Sequence, residues 1–316
     1  MRARAQREPE LRKAPTGVSA RATPSSNPMK SATQASGWRT LGVGGALVAL
    51  FWPLNWICES THVLFFPLWL GYVLAVDGLV QLRTGTSLLT RAPRTFVLLF
   101  PLSVPSWWLF EAFNERLRNW EYLGAERFSD LEYFLYASLS FSTVVPAVFE
   151  SAELVRSFRF IERFGRGPKF PRAGDSASYR WGLALLGVAL TAATLLWPRQ
   201  CFPFVWMGPV FLLEPLCLAL GRRAFTDELV RGDWRTWMSL WLGGLLCGFF
   251  WEMWNIHSYP KWIYHVPYVG FWKVFEMPVL GYLGYLPFAM ELYLMAQLVL
   301  SREAGIPLGE RREVSS

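Results

Sequence analysis

"RTWMSLWLGGLLCGFFWEMWN", residues 235–255, repeats the layout of "RTFVLLFPLSVPSWWLFEAFN", residues 94–114. Both open on Arg-Thr-aromatic (Arg94, Arg235), reach a glutamate 17 residues later (Glu111, Glu252) and an asparagine three beyond it (Asn114, Asn255). The offset of 141 residues also carries PAVFE (Pro146, Glu150) onto PFAME (Pro287, Glu291), and one more residue brings NWEY (119–122) onto KWIY (261–264). At an offset of 137, WLGYVLAVD (69–77) falls on WMGPVFLLE (206–214). Four motifs in one order at a nearly constant offset indicate a tandem duplication.

Both copies are too apolar for a soluble domain. Hydrophobic residues make up 53% of the 316-residue chain, with 17 tryptophans and a mean hydropathy of +0.23, a composition that fits a membrane protein. Apolar windows at 41–57, 63–82, 95–113, 131–153, 181–197, 202–221, 237–254 and 275–300 approach the roughly 20 residues that cross a hydrocarbon core. Each is read as a helix, because backbone in lipid must satisfy its own hydrogen bonds; the first part of the last window is read as re-entrant. The expected fold is an all-α polytopic membrane protein of about eight transmembrane helices in two four-helix repeats. Four is an even number, so both repeats enter the membrane in the same sense and run parallel.

Orientation follows from the basic residues. With an inward N-terminus, segments 1–40, 83–94, 155–180, 222–235 and 301–316 are cytoplasmic and hold 25 of the 31 Lys and Arg, as the positive-inside rule requires. The net charge of +7 is then accounted for by topology and anionic lipid, leaving no case for nucleic acid. The expected organisation is a disordered basic tail (1–38), a first repeat (39–158), a basic linker (159–179), a second repeat (180–301) and a tail (302–316), with both termini cytoplasmic in a cell (inner) membrane. Met29 offers an alternative start. Of four cysteines, Cys217 and Cys247 read as packing residues, while Cys58 and Cys201 fall near the outer surface, where they could pair. The sequence leaves oligomeric state open.

Six carboxylates fall within or beside the spans, each costing at least a few kcal/mol unless paired, hydrated or protonated. The plainer reading makes Arg94 with Asp77 or Glu150, and Arg235 with Glu214 or Glu291, structural ion pairs. Glu111 and Glu252 have no arginine placed near them, since 17 residues of helix span about 25 Å. With Asn114, Asn255 and His257 they are the candidate catalytic groups, a buried carboxyl among aromatic rings being suited to general acid work; the plainer reading is helix bridging. Trp251, Trp254, Tyr259, Trp262 and Tyr264 are candidate substrate contacts, against the simpler reading of 259–272 as an interfacial aromatic belt. The alternative is a re-entrant lid over a cavity, its rings available to a polyene or to a carbocation. Three histidines without HxxxH, and no DxxD, supply no metal-ligand set, and no cofactor is expected.

The tandem units, with an aromatic WxY element and Pro-to-Glu motifs within a span, resemble the bacterial and fungal membrane lycopene cyclases, whose repeats carry Pro-x-Glu-Glu where this chain has PAVFE and PFAME. The resemblance implies carotenoid-type chemistry, with Glu150 and Glu291 as the acids that protonate an alkene. From the residues alone three readings stand: a cofactor-free enzyme using acid catalysis on a lipid-soluble substrate, a transporter or channel with an outer Glu/Asn site, and a membrane scaffold without catalysis.

Overall fold

The computed structural model describes residues 28–58, 62–171, 176–300 and Leu308. In chain order the regular elements are α1 (Pro28–Ile57), α2 (Phe65–Thr84), α3 (Leu88–Arg91), α4 (Pro93–Leu117), β1 (Trp120–Leu123), α5 (Asp130–Phe141), α6 (Val144–Arg156), α7 (Ala177–Leu196), α8 (Pro198–Cys201), α9 (Gly208–Ala219), α10 (Phe225–Arg231), α11 (Arg235–Asn255), β2 (Lys261–Tyr264), β3 (Lys273–Val274), β4 (Met277–Pro278) and α12 (Tyr285–Val299). Among the described residues seven helical segments are long and apolar enough to cross a membrane, including α5 and α6 taken as one and the turn at 279–284 with α12. The chain is thus a multi-pass, all-helical membrane protein with two short two-stranded ribbons.

The eighth expected span, α11, is less apolar because it is rich in Trp and Gly, yet its 21 residues reach about 31 Å at 1.5 Å each. It packs lengthwise on α6 and α12. Arg235 at its start bonds Glu162, in the turn that follows α6, at 2.9 Å. At its end the Asn55 amide of α1 donates to Trp254 O at 3.1 Å, satisfying one of the carbonyls a helix C-terminus leaves free.

At the centre lies α6, buried at every position from Val144 to Val155. It crosses α11 almost backbone to backbone: a Cβ on Gly243 would stand 2.5 Å from Ala152 Cα, the close approach that small residues permit between membrane helices. α1 packs on α2 and α7 on α9, and both α1 and α7 leave most of their surface exposed, as helices facing lipid do.

Several boundaries differ from those expected. α1 begins at Pro28, inside the stretch read as a tail; residues 1–27 lie outside the described residues, as does the 302–316 tail except Leu308, whose N–H donates to Glu153 Oε1 at 2.6 Å. The linker is partly ordered as a 3₁₀ turn, Arg159–Arg166. The span expected at 131–153 is two half-helices. Ser103 Oγ donates to Phe141 O (2.5 Å) and accepts from Val145 N (3.0 Å), standing between the two groups a continuous helix would join, and such an insertion breaks a helix. All four cysteines are free, Cys58 and Cys201 included.

The expected arginine pairs are not the ones formed. Arg235 is held by Asp233 (2.7 Å) and Glu162 (2.9 Å), and among the described residues Arg94 forms no ion pair. Asp77 Oδ1 instead accepts from Leu89 N at 2.9 Å, and Glu214 accepts from Phe225 N (3.1 Å) and Thr226 N (2.6 Å). Both carboxylates therefore cap the start of a short helix, α3 or α10, where free N–H groups and the helix dipole favour an anion. That is why they lie buried without a cation. Glu150 and Glu291 are fully buried; Glu150 lies beside Asp77, and among the described residues no hydrogen bond to the Glu291 carboxylate is formed.

Candidate functional site

The site is built where α4 and α11 end. Asn114 donates to Trp120 O (2.8 Å) and accepts from Trp120 N (3.2 Å) and Asn119 N (2.9 Å). Asn255 donates to Trp262 O (2.7 Å) and accepts from Trp262 N (2.9 Å). Each amide thus grips both backbone groups of one tryptophan and starts a strand there. The strands pair antiparallel, Trp120 opposite Tyr264 and Tyr122 opposite Trp262. Because side chains alternate along a strand, all four of these aromatic residues share one face of the ribbon.

Beside that face stand the two glutamates. Glu111 Oε1 accepts from Trp107 Nε1 (2.8 Å), Trp120 Nε1 (3.2 Å) and Tyr122 OH (2.5 Å). Glu252 Oε1 accepts from Tyr264 OH (2.6 Å) and Tyr285 OH (2.7 Å), while Trp262 Nε1 donates to Tyr264 OH at 2.9 Å. Burial first, and the neighbouring carboxylate second, push the Tyr122 and Tyr264 hydroxyls well above their usual pKa, so both remain donors at neutral pH. Glu252 is 0% exposed and among the described residues its Oε2 has no partner; Glu111 is half-buried.

Between the two nests lies an apolar cavity, with about 120 Å³ open to the centre of a water molecule. The ribbon contributes Trp120, Tyr122, Trp262 and Tyr264; the helices and the turn before α9 contribute Trp107, Trp251, Trp206 and Phe288. Trp107 and Trp251 stack at 5.4 Å between ring centroids, and Phe288 meets Trp107 edge-on at 5.7 Å. One wall is α5, through Tyr133, Tyr136 and Ala137, with His62 beside Tyr136. The segment 271–284 closes another side: Lys261 of β2 bonds Glu276 at 2.6 Å, and the adjacent Met277 lines the cavity.

Of the residues expected to contact a substrate, Trp251, Tyr259, Trp262 and Tyr264 line this cavity. Trp254 does not: it is buried between Trp52, Trp69 and Phe250. The aromatic stretch 259–272 divides, since Trp262 and Tyr264 turn inward while Tyr268 and Trp272, 67% and 81% exposed, face outward. His257 is not a partner of Glu252. Five residues at about 100° each turn it roughly 140° around the helix axis, and it meets Trp56 edge-on at 5.3 Å. The asparagines act on backbone, and neither Glu150 nor Glu291 lines the cavity.

Residues that pattern-reading missed are Trp107, Trp206, Tyr285 and Phe288. Trp107 sits four residues before Glu111, one helical turn, so the spacing was a usable signal. Tyr285 gave none, because the residue 141 positions earlier is Val144. Among the described residues no group of three or more His, Cys, Asp or Glu is placed to hold a metal ion. Compared with known proteins, the chain matches no family model, no curated protein and no solved structure.

Proposed function

We propose that the chain is a membrane enzyme without a cofactor that uses acid catalysis on a lipid-soluble, unsaturated substrate of isoprenoid or carotenoid type. The observation that carries this reading is the aromatic cavity flanked by two glutamates whose hydrogen-bond donors are the very rings that line it. Glu252 is the acid. Its proton passes through Tyr264 or Tyr285: the hydroxyl, which at rest donates to Glu252, turns to the cavity and gives its own proton to an alkene carbon as its oxygen takes the one from protonated Glu252. The resulting carbocation rests against tryptophan and tyrosine faces, and it loses a proton back to the carboxylate after ring closure or double-bond shift. Proton and electrons balance, so the product is an isomer of the substrate and no oxidant is required.

The same reading takes the chain as a duplicated unit of four spans, eight in all, related by a two-fold axis along the membrane normal. Supporting it are the two asparagine grips, the two capping carboxylates Asp77 and Glu214, and a ribbon in which each strand meets the other in the same way, Trp120 to Tyr264 and Tyr122 to Trp262. The basic residues put the ribbon side outside. On this reading the chain would share tandem repeats and substrate class with the membrane lycopene cyclases it resembles, with the acid moved from the Pro-to-Glu motif to Glu252. The test is the lipid extract of cells producing the wild type, Glu252→Gln or Glu111→Gln at matched yield. A new isomeric lipid appears with the wild type, is reduced with Glu111→Gln and vanishes with Glu252→Gln. Identical extracts in all three would sink the enzyme and favour a carrier, for which the opening beside Glu111 would be the solute's entrance.

A further inference from the structure

A second, polar cleft lies on the other side of Glu111. It is lined by Glu111, Glu115, Arg118, Glu121, Tyr133 and His265, and it shares Trp120, Tyr122 and Tyr133 with the aromatic cavity. Glu111 therefore stands in the wall between an apolar chamber and a charged cleft, whereas Glu252 is wholly enclosed. The charged groups around the cleft are already matched: Arg118 with Glu115 at 3.2 Å, and His265 with Glu121 at 2.9 Å across the ribbon. Neither pair draws on Glu111, whose bonds among the described residues run to Trp107, Trp120 and Tyr122, and the shortest of these, 2.5 Å, ends on Tyr122, one of the two tyrosines that border both chambers and the one bonded to the carboxylate.

We propose that Glu111 is the proton inlet of the cavity, and that the two glutamates divide one task. Glu111 exchanges protons with water in the cleft, Tyr122 carries them through the wall, and Glu252 holds the proton inside. Once Glu111 has taken a proton from the cleft it becomes the donor, and the Tyr122 hydroxyl, which otherwise donates to the carboxylate, turns to the cavity; Glu111 then gives its proton to the Tyr122 oxygen while the Tyr122 hydroxyl proton moves to a water in the cavity and on to Glu252 through Tyr264. The Glu111 carboxylate is then reprotonated from the cleft, and no electrons change hands. An apolar chamber that protonates a substrate needs such a route, because a sealed acid loses its function once its proton leaks away. An inlet through a half-buried carboxylate admits protons without admitting bulk water to the carbocation. The inference rests on the acid-catalysis reading for its purpose, but the proton path itself stands or falls without any substrate.

The experiment uses the full-length protein in lipid vesicles and two probes. The first is a water-soluble carbodiimide with glycine ethyl ester, read by peptide mass spectrometry; Glu111 is labelled at least tenfold more than Glu252. Labelling of both alike, or of neither, overturns the inlet. The second is transfer into deuterium oxide followed by infrared spectroscopy of the carboxylic-acid band that Glu252→Gln removes. That band exchanges, and exchange slows tenfold or more in Glu111→Gln and Tyr122→Phe while Glu126→Gln, exposed and outside both the cleft and the cavity, leaves it unchanged. Equal rates in all variants, or no band assignable to Glu252, overturn the proposal. The two ideas part cleanly: slowed exchange with unchanged cell lipids leaves the inlet and sinks the enzyme, and new lipids with unchanged exchange do the reverse.

Discussion

Glu111 and Glu252 occupy matching places at the ends of two helices, yet the donors that hold them come from different parts of the chain. Four residues before Glu111 stands Trp107, whose indole reaches the carboxylate at 2.8 Å. Four residues before Glu252 stands Gly248, and a Cβ there would lie 2.6 Å from the Tyr285 ring. The space that a tryptophan fills in one nest is left open in the other for a tyrosine from α12, whose hydroxyl takes the indole's place at 2.7 Å. An aromatic donor on the carboxylate is kept while its source changes, so the requirement lies with the carboxylate and not with any one helix contact. The exposure also differs: one nest borders a polar cleft and the other is sealed. Like architecture and unlike access are what a division of labour needs.

The largest effect that probes this comparison is loss of the asparagine grip. Asn255→Ala leaves Trp262 N and O unpaired in a fully buried place, and it lowers stability by about 3 kcal/mol, the upper range for stranded polar groups. Asn114→Ala costs about 2 kcal/mol by the same reasoning, since Asn114 lines the open cleft and water can replace part of what is lost. Equilibrium unfolding in mild detergent checks both, and equal values would deny that one nest is wetter than the other.

Next in size is Gly248→Ala. The added methyl meets the Tyr285 ring and cannot be absorbed by backbone motion, so it costs about 1–3 kcal/mol, as overpacking does. Tyr285→Ala alone is also destabilising, but the double variant recovers part of the Gly248→Ala loss, because residues in contact couple. Additive losses would mean that the glycine serves helix packing alone. Gly44, on α1, is not expected to show coupling to Tyr285.

The smallest effect separates the opposite ends of the helices. Two residues past the backbone N–H groups capped by Asp77 and Glu214, α3 carries Arg91, bonded to Glu153 at 2.7 Å, and α10 carries Glu228. Burial raises the Glu228 carboxyl from 4.5 to about 7. The folded state then binds a proton that the unfolded chain releases, so stability declines as pH rises from about 4.5 to about 7. Glu228→Gln flattens that decline in pH-dependent unfolding; an unchanged slope in the variant would place its origin elsewhere.

The helical membrane class was legible because 20-residue apolar windows leave few other structures available to a chain in lipid. The glutamates and asparagines at the ends of 94–114 and 235–255 were legible because the pattern recurs. What stayed hidden has physical causes. The α5/α6 break depends on Ser103, some 40 residues away, reaching into the helix, and nothing in the local run FSTVV (141–145) demands it. The partners of Asp77 and Glu214 are backbone N–H groups, which carry no residue identity to search for, so an arginine at the right depth was the natural guess. The ribbon was hidden by length, four residues a strand, and by the habit of aromatic residues to gather at interfaces whether or not they pair. The cavity joins Trp107 to Tyr285 and Trp206 across both halves of the chain, and only tertiary packing brings them together.

The central claim is that the aromatic cavity takes an unsaturated lipid-soluble chain. Its most direct test is energy transfer from the cavity tryptophans to parinaric acid, a fluorescent conjugated tetraene, in the purified protein and in Ala137→Trp, which fills the cavity from α5. The wild type shows saturable transfer that a non-fluorescent polyene competes away, and Ala137→Trp, folded by circular dichroism, retains only the linear background of probe dissolved in detergent. Saturable binding undiminished in Ala137→Trp, or linear partitioning in both, would contradict the assignment of this cavity as the site.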